Sequence, residues 1–577
     1  MNAIRISKKY FLAVLLSTVT LAGCNKILEI DPVSEWKDES FYSTKQEVNL
    51  ALSGIYSQLA NDDVYGFQFN VYLESGTDET YVNSTPASRA PAKYGFTPSS
   101  DEIKNVWLRF YTCIQLVNQF EKNLKADLFS TEEYNTFLAK ARFMRGFCYF
   151  TLANWFGPVP LRLTPSSSQA DNHLAPSPVK EVYEQAERDY LFAAEHLKHA
   201  KDADYVPGEP NKMAAHGLLA RLYLKMGGYQ PYLSENDAEC YLENPQQYFD
   251  KAKDQCEIII QDGWHHIVPY STDPESYRNH FIKYLQDKYD LRESLFEISF
   301  GNYYSMGLQV SGRMGNTNGV AFQGTADIPR GFAQVNVGVP VYNAYSLEDK
   351  RRTWSIAGYR NNFSSANQWY VMRYIFDTPL NDKYGIGKFR RWEPTDMDAL
   401  IASGSSGIVE APYTILNNTP GSETDPNFTS INFPILRYSD VLLMHAEAII
   451  GSRNGTADAT PSAVNSLNIV RERAGLDPYS GSVVHNDFFK VLVDERLREL
   501  CFEGLRKQDL IRWDLLEDKL AETNAAIKAH PDFNPTNTIH QVYLEAGENF
   551  DRSKHLLFPY PLQETQINND LAPRKGW

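Results

Sequence analysis

The sequence predicts a mainly α-helical protein: a scaffold of about four helix pairs of the tetratricopeptide type, interrupted by a long irregular, loop-rich region with minor short strands. Three observations predict it. Apolar residues recur at three- and four-residue intervals in successive long segments. Glycine and proline punctuate the ends of those segments. Between 263 and 430 the periodicity gives way to a texture rich in Gly, Asn, Ser, Tyr and Pro.

The chain of 577 residues starts with Arg5, Lys8 and Lys9, followed by the apolar run "FLAVLLSTVTLA" from Phe11 to Ala22. That order is a secretory signal, too short to cross a bilayer, which takes about 20 apolar residues. Its end, "LAGC", resembles a bacterial lipobox, so residues 1–23 are expected to be removed and Cys24 to carry a lipid as the first residue of the mature chain. "NKILEIDPVSEW" then serves as a tether.

Residues 102–123 and 132–155 make the first helix pair, stopped by "FGPVPL". Segments 179–198, 211–226 and 246–260 continue the pattern. In "AAHGLLARLYLKMGGY" the small Ala214 and Gly217 let a neighbouring helix approach, and Gly227-Gly228 ends the segment. "SLFEISF" (294–300) and "QWYVMRYIF" (368–376) read as strands inside the irregular region. Helices return at 434–450, with Pro434 suited to an opening turn, at 461–474 and at 486–516. This divides the chain into the signal 1–23, an N-terminal helical region 24–262, and a C-terminal region 263–577 with an insertion at 263–430.

The formal net charge is −16, and removal of the signal makes it three units more negative. Such a chain repels nucleic acid and anionic lipid. "EDKRR" (348–352) and "KFRRW" (388–392) are the basic patches a polyanion would need. Cys113, Cys148, Cys240, Cys256 and Cys501 lack zinc-like spacing and read as buried free thiols, with no metal or cofactor implied. No metalloprotease helix, Walker loop, dinucleotide fingerprint or nucleophile elbow is present. "GIGKF" (385–389) reads as a turn, and His265-His266 as surface or packing residues. The densest charge, "DERLRELCFEGLRKQDLIRW" (494–513), places Glu495 near Arg498, Glu503 near Arg506 and Lys507, and Asp509 near Arg512. These spacings predict structural ion pairs along a helix rather than an acid/base array. A carboxylate pair for glycoside hydrolysis leaves no fixed spacing and stays open as an alternative.

With 35 Tyr, 31 Phe and 9 Trp the chain is rich in rings, and Tyr exceeds Phe. Two loop segments, 64–96 and 302–332, mix rings with Asp, Asn, Arg and Gln. Sugar rings have apolar C–H faces edged by hydroxyls, so an aromatic platform beside such groups fits them. Asp78, Tyr81, Arg89, Tyr94, Tyr303, Tyr304 and Phe322 are the candidate ligand residues.

Several blocks together resemble the SusD-like (SusD/RagB) family of outer-membrane nutrient-binding lipoproteins. They are the lipobox at Cys24, "TDETY" (77–81), "ARFMRGFCYFTLANWFGPVPL" (141–161), "PILRYSDVLLMHAEA" (434–448), "VRERAGL" (470–476), "ERLRELCFEGLRKQDLIRW" (495–513) and "LLFPYPLQETQINND" (556–570). The resemblance implies a tetratricopeptide-like fold without catalytic activity, lipid-anchored at the outer membrane and surface-exposed. It also implies capture of oligosaccharides or polysaccharides for a partner SusC-like TonB-dependent transporter. A surface glycoside hydrolase, or a tetratricopeptide-type envelope scaffold or peptide binder, are the competing readings.

Overall fold

The computed structural model describes residues 41–82, 87–168, 171, 173–233, 240–301, 312–322, 330–363, 370–374, 380, 384–402, 408–410, 413–417 and 427–577. Cys24, Tyr303 and Tyr304 lie outside them.

Helix α1 (Lys45–Ser57) opens with a capping box in which the Thr44 hydroxyl accepts from the Glu47 N–H and the Glu47 carboxylate accepts from the Thr44 N–H. A short α2 (Gln68–Glu74) follows. The first predicted pair is α3 (Asp101–Asn123) and α4 (Thr131–Phe156). From Thr136 to Phe156 α4 is buried on almost every side, as befits a central helix. It ends where Gly157 takes φ of 70°. Next come α5 (Val179–His196), α6 (Lys212–Gly227) and α7 (Pro245–Asp262). After the insertion the closing helices are α8 (Tyr438–Ile450), α9 (Pro461–Arg473), α10 (His485–Leu500) and α11 (Arg506–Arg512). Each of α3 to α8 packs on the next, so α7 and α8 form a pair although 263–437 lies between them, and α9 and α10 complete the fourth pair.

The structure corrects three expectations. Residues 433–437 form a strand, not the first turn of a helix. The strand predicted at 294–300 is β2 (Ser294–Ile298), and β4 (Phe433–Arg437) pairs antiparallel to it with an irregular register after Pro434. Proline is tolerated there because a bulge spares its missing N–H. β4 also explains Gly217: a Cβ there would sit 2.3 Å from Leu436 Cδ2, with Ile259 of α7 farther off at 3.6 Å, so the close approach is by a strand. Second, the helix predicted over 486–516 breaks at 501–505, where Phe502 and Gly504 adopt φ of 67° and 72°. The Phe502 N–H donates to the buried Glu79 carboxylate, which holds the break open. The 370–374 strand forms as predicted, and the five described cysteines are free and buried.

Third, the charges of 494–513 are paired as expected but mostly across elements rather than along their own helix. Glu495, Glu499 and Glu503 are 0%, 0% and 3% exposed. Arg437 bonds Glu503 and Glu293 at 2.7 Å and Glu499 at 3.1 Å. Arg473 reaches Glu293 and Glu499; Arg351 reaches Asp349, Glu495 and Glu499. Lys388 donates to Glu503 at 2.7 Å. Neighbour pairing holds for Glu495–Arg498 and Asp509–Arg512, but Arg506 goes to Asp78 and Lys507 to the Tyr72 carbonyl. The basic patches likewise turn inward: Arg351, Lys388, Arg390 and Arg391 are buried. His265 is buried and His266 exposed.

Glu499→Leu or Arg437→Leu strands a buried partner charge, and either is expected to cost about 3–5 kcal/mol in urea unfolding. The arginines hold the Glu495 carboxyl down to about 2 against burial, which acts the other way. A depressed carboxyl contributes stability that is whole above its ordinary pKa of about 4.5 and vanishes as pH falls through about 2. Unfolding midpoints should therefore drop steeply across that window, and less steeply in Glu495→Gln.

Candidate functional site

The two ring-rich loop segments converge at two places. At the first, β1 (Thr80–Val82) pairs antiparallel with β3 (Val335–Val337), setting Tyr81 opposite Asn336. Gly338 follows directly; its N–H donates to the Glu79 carbonyl at 2.8 Å, and a Cβ there would meet the Asp78 and Glu79 carbonyls at 2.8 and 2.9 Å. Only glycine lets the two chains come so close.

At the second place the Arg313 N–H donates to the Gly66 carbonyl at 2.8 Å, and its guanidinium lies between the rings of Phe67 and Phe428, 4.9 and 4.7 Å from their centroids. Its outer nitrogen donates to Asp62 at 2.8 Å. Beside it, Asn105 and Arg109 of α3 both hold Asp63 at 3.1 Å. Burial raises the Asp62 pKa, and Arg313 only partly offsets it. An antiparallel bridge between Gly312 and Thr429 brings Phe428 to Arg313. Underneath, buried Arg391 donates to the carbonyls of Arg330 at 2.8 Å and Phe428 at 3.4 Å, tying the second ring to the end of the loop. Burial pulls its pKa down to about 9. There Phe332 is 49% exposed, with the Arg330 guanidinium 5.8 Å from its centroid.

The candidate residues fall into groups. Tyr81 is half-buried; its ring stands edge-on to Tyr543 at 4.2 Å, and the two hydroxyls are 3.2 Å apart. Arg89 lies in the 3-10 helix Ala87–Lys93, which follows β1 and packs on it. Three others are internal, contrary to the expectation that they face a ligand. Asp78 is 3% exposed and locked bidentate by Arg506 at 2.7 and 2.9 Å. Tyr94 is 4% exposed, adopts φ of 60°, and its hydroxyl donates to the Gly76 carbonyl. Phe322 is 3% exposed against Trp392 and Tyr413. Each packs because its polar atom or face already has a partner in the core. Sequence reasoning missed Asp62, Phe67, Arg313, Phe428 and Phe332. Phe67, Arg313 and Phe332 lie inside the quoted segments, but nothing in the sequence couples Asp62 to a residue so far along the chain.

Phe428 is itself buried, so the surface this seam presents is the half-buried Phe67 ring and the exposed Phe332 ring beside the Arg313–Asp62 pair. Among the described residues no group of three or more His, Cys, Asp and Glu is placed to hold a metal ion.

Residues 28–224 match a family model described as "Starch-binding associating with outer membrane". The chain is 24% identical to "SusD-like protein P2" of Formosa agariphila, over 98% of this chain and 99% of that one. It is 24% identical to "Starch-binding protein SusD" of Bacteroides thetaiotaomicron, over 87% and 89%. Its fold superposes on the crystal structure of a SusD homolog from Bacteroides thetaiotaomicron with a TM-score of 0.76 at 23% identity, over 94% of this chain and 98% of that one. Residues 316–577, which carry β3, β4 and all the closing helices with their buried ion pairs, match a second family model, described as "SusD family", so the chain is SusD-like across both matched spans.

Proposed function

We propose that the protein is a lipid-anchored glycan-binding protein of the outer membrane surface, which captures oligosaccharides or polysaccharides and passes them to a SusC-like TonB-dependent transporter. The observation that carries the binding is the Phe67–Arg313–Phe428 sandwich with Asp62 on its edge. A sugar laid along this seam finds C–H contact on the rings and hydroxyl partners in the ion pair. Tyr81 and Arg89 belong to the same sequence segment as Phe67, and Tyr303 and Tyr304 to the same segment as Arg313. The matching model's outer-membrane description and the starch-binding relative support surface capture of a glycan. The chain's net charge of −16 favours a neutral glycan over a sulfated or uronate-rich one. Each seam carboxylate is held by an arginine, an arrangement for orienting hydroxyls rather than for moving protons.

Affinity electrophoresis against a panel of neutral and acidic polysaccharides tests the reading. Phe67→Ala and Arg313→Ala are expected to weaken retention about tenfold, roughly 1.4 kcal/mol, in a neutral matrix and with little dependence on salt. Unchanged retention in both variants removes the seam from the site, and release of reducing ends by the purified protein would favour the hydrolase reading instead. Cys24→Ala is expected to move the protein from the membrane to the soluble fraction; continued co-sedimentation with membranes argues against the anchor.

A further inference from the structure

A cleft of about 340 Å³ opens between the first turn of α1, the first turns of α4 and the 198–210 connection. Small-molecule pockets occupy about 300–1,000 Å³, so it is large enough for a mono- or disaccharide. Its walls are charged, but every ammonium already has a carboxylate: Lys45 with Glu133, Lys198 with Asp204, and Lys140 with Glu209 at 2.5 Å. An anion entering would meet those carboxylates and Glu132; a cation would meet the three ammoniums. A neutral molecule bearing many hydroxyls meets neither penalty. Each ammonium keeps N–H donors beyond the one it shares, and each carboxylate keeps lone pairs, which together match the donor and acceptor of adjacent hydroxyls.

One further feature fits a polyol. The floor is Phe137, 8% exposed, and the mouth is flanked by Val206, 54% exposed, so C–H faces find apolar contact.

We propose that this cleft is a second binding site, for a neutral mono- or disaccharide, built on the helical scaffold and sharing no residue with the seam. Saturation-transfer NMR on the full mature chain, with D-glucose, D-galactose and maltose as probes, tests it. At least one probe should receive transfer from the protein; Val206→Trp, which fills the mouth from an exposed position, should abolish that transfer or weaken binding about tenfold, while Arg313→Ala at the seam leaves it intact. Lys140→Met should weaken it as well. No transfer to any probe, or transfer that survives Val206→Trp, overturns the proposal, as does transfer lost in Arg313→Ala but kept in Val206→Trp, which would place the sugar at the seam alone.

Discussion

The Arg437 guanidinium is the point on which the closing half of the molecule depends. It sits at the end of β4 and bonds Glu293 at the foot of β2, Glu499 in α10 and Glu503 in the break that follows. Arg351, Lys388 and Arg473 feed the same carboxylates from the insertion and from α9. Burying that many charges is costly in desolvation and stabilises little relative to apolar packing. Its physical consequence is specificity of arrangement: an unpaired member is so unfavourable that the insertion has one position on the helices in which all are satisfied.

That constraint reaches the seam through short steps. The break at 501–505 aims the Phe502 N–H at Glu79, and Arg506 grips Asp78. These two bonds fix the turn just before β1. β1 then fixes β3 by backbone pairing, and with it the end of the 312–337 loop. A surface made of loops is thus held by a buried charge array on helices. Precision at a binding face is obtained by anchoring its supports, since the loops themselves contribute little packing.

The helices were legible in the sequence because an amphipathic period is a local property, visible within three turns. β4 was not, because Pro434 followed by an apolar run fits a helix start as well as a bulged strand, and only Glu297 and Phe296 across the pair decide between them. The charges of 494–513 were recognised as structural, but their partners were misassigned: helical spacing names Arg506 for Glu503, whereas the break turns Glu503 away to Arg437 and Lys388. Of the candidate site, the two segments were legible from composition and the individual residues were not. Asp78 and Tyr94 carry the same chemistry as a sugar contact; what disqualifies them is a partner, Arg506 or the Gly76 carbonyl, that no local pattern reveals.

Perturbed titration is a common guide to active sites, and here burial shifts Asp62 and Arg391 at the seam and other buried groups far from it. Glu79 and Glu297 are pushed up to about 8, and Lys225 and Lys507 down to about 7, in each case chiefly by burial. All four sit within the scaffold, and none borders the Phe67–Arg313–Phe428 sandwich. These four groups mark where charged side chains were drawn inside to hold the insertion on its helices, and the proposed binding surface is marked differently, by the half-exposed Arg313 next to a carboxylate and the Phe67 ring.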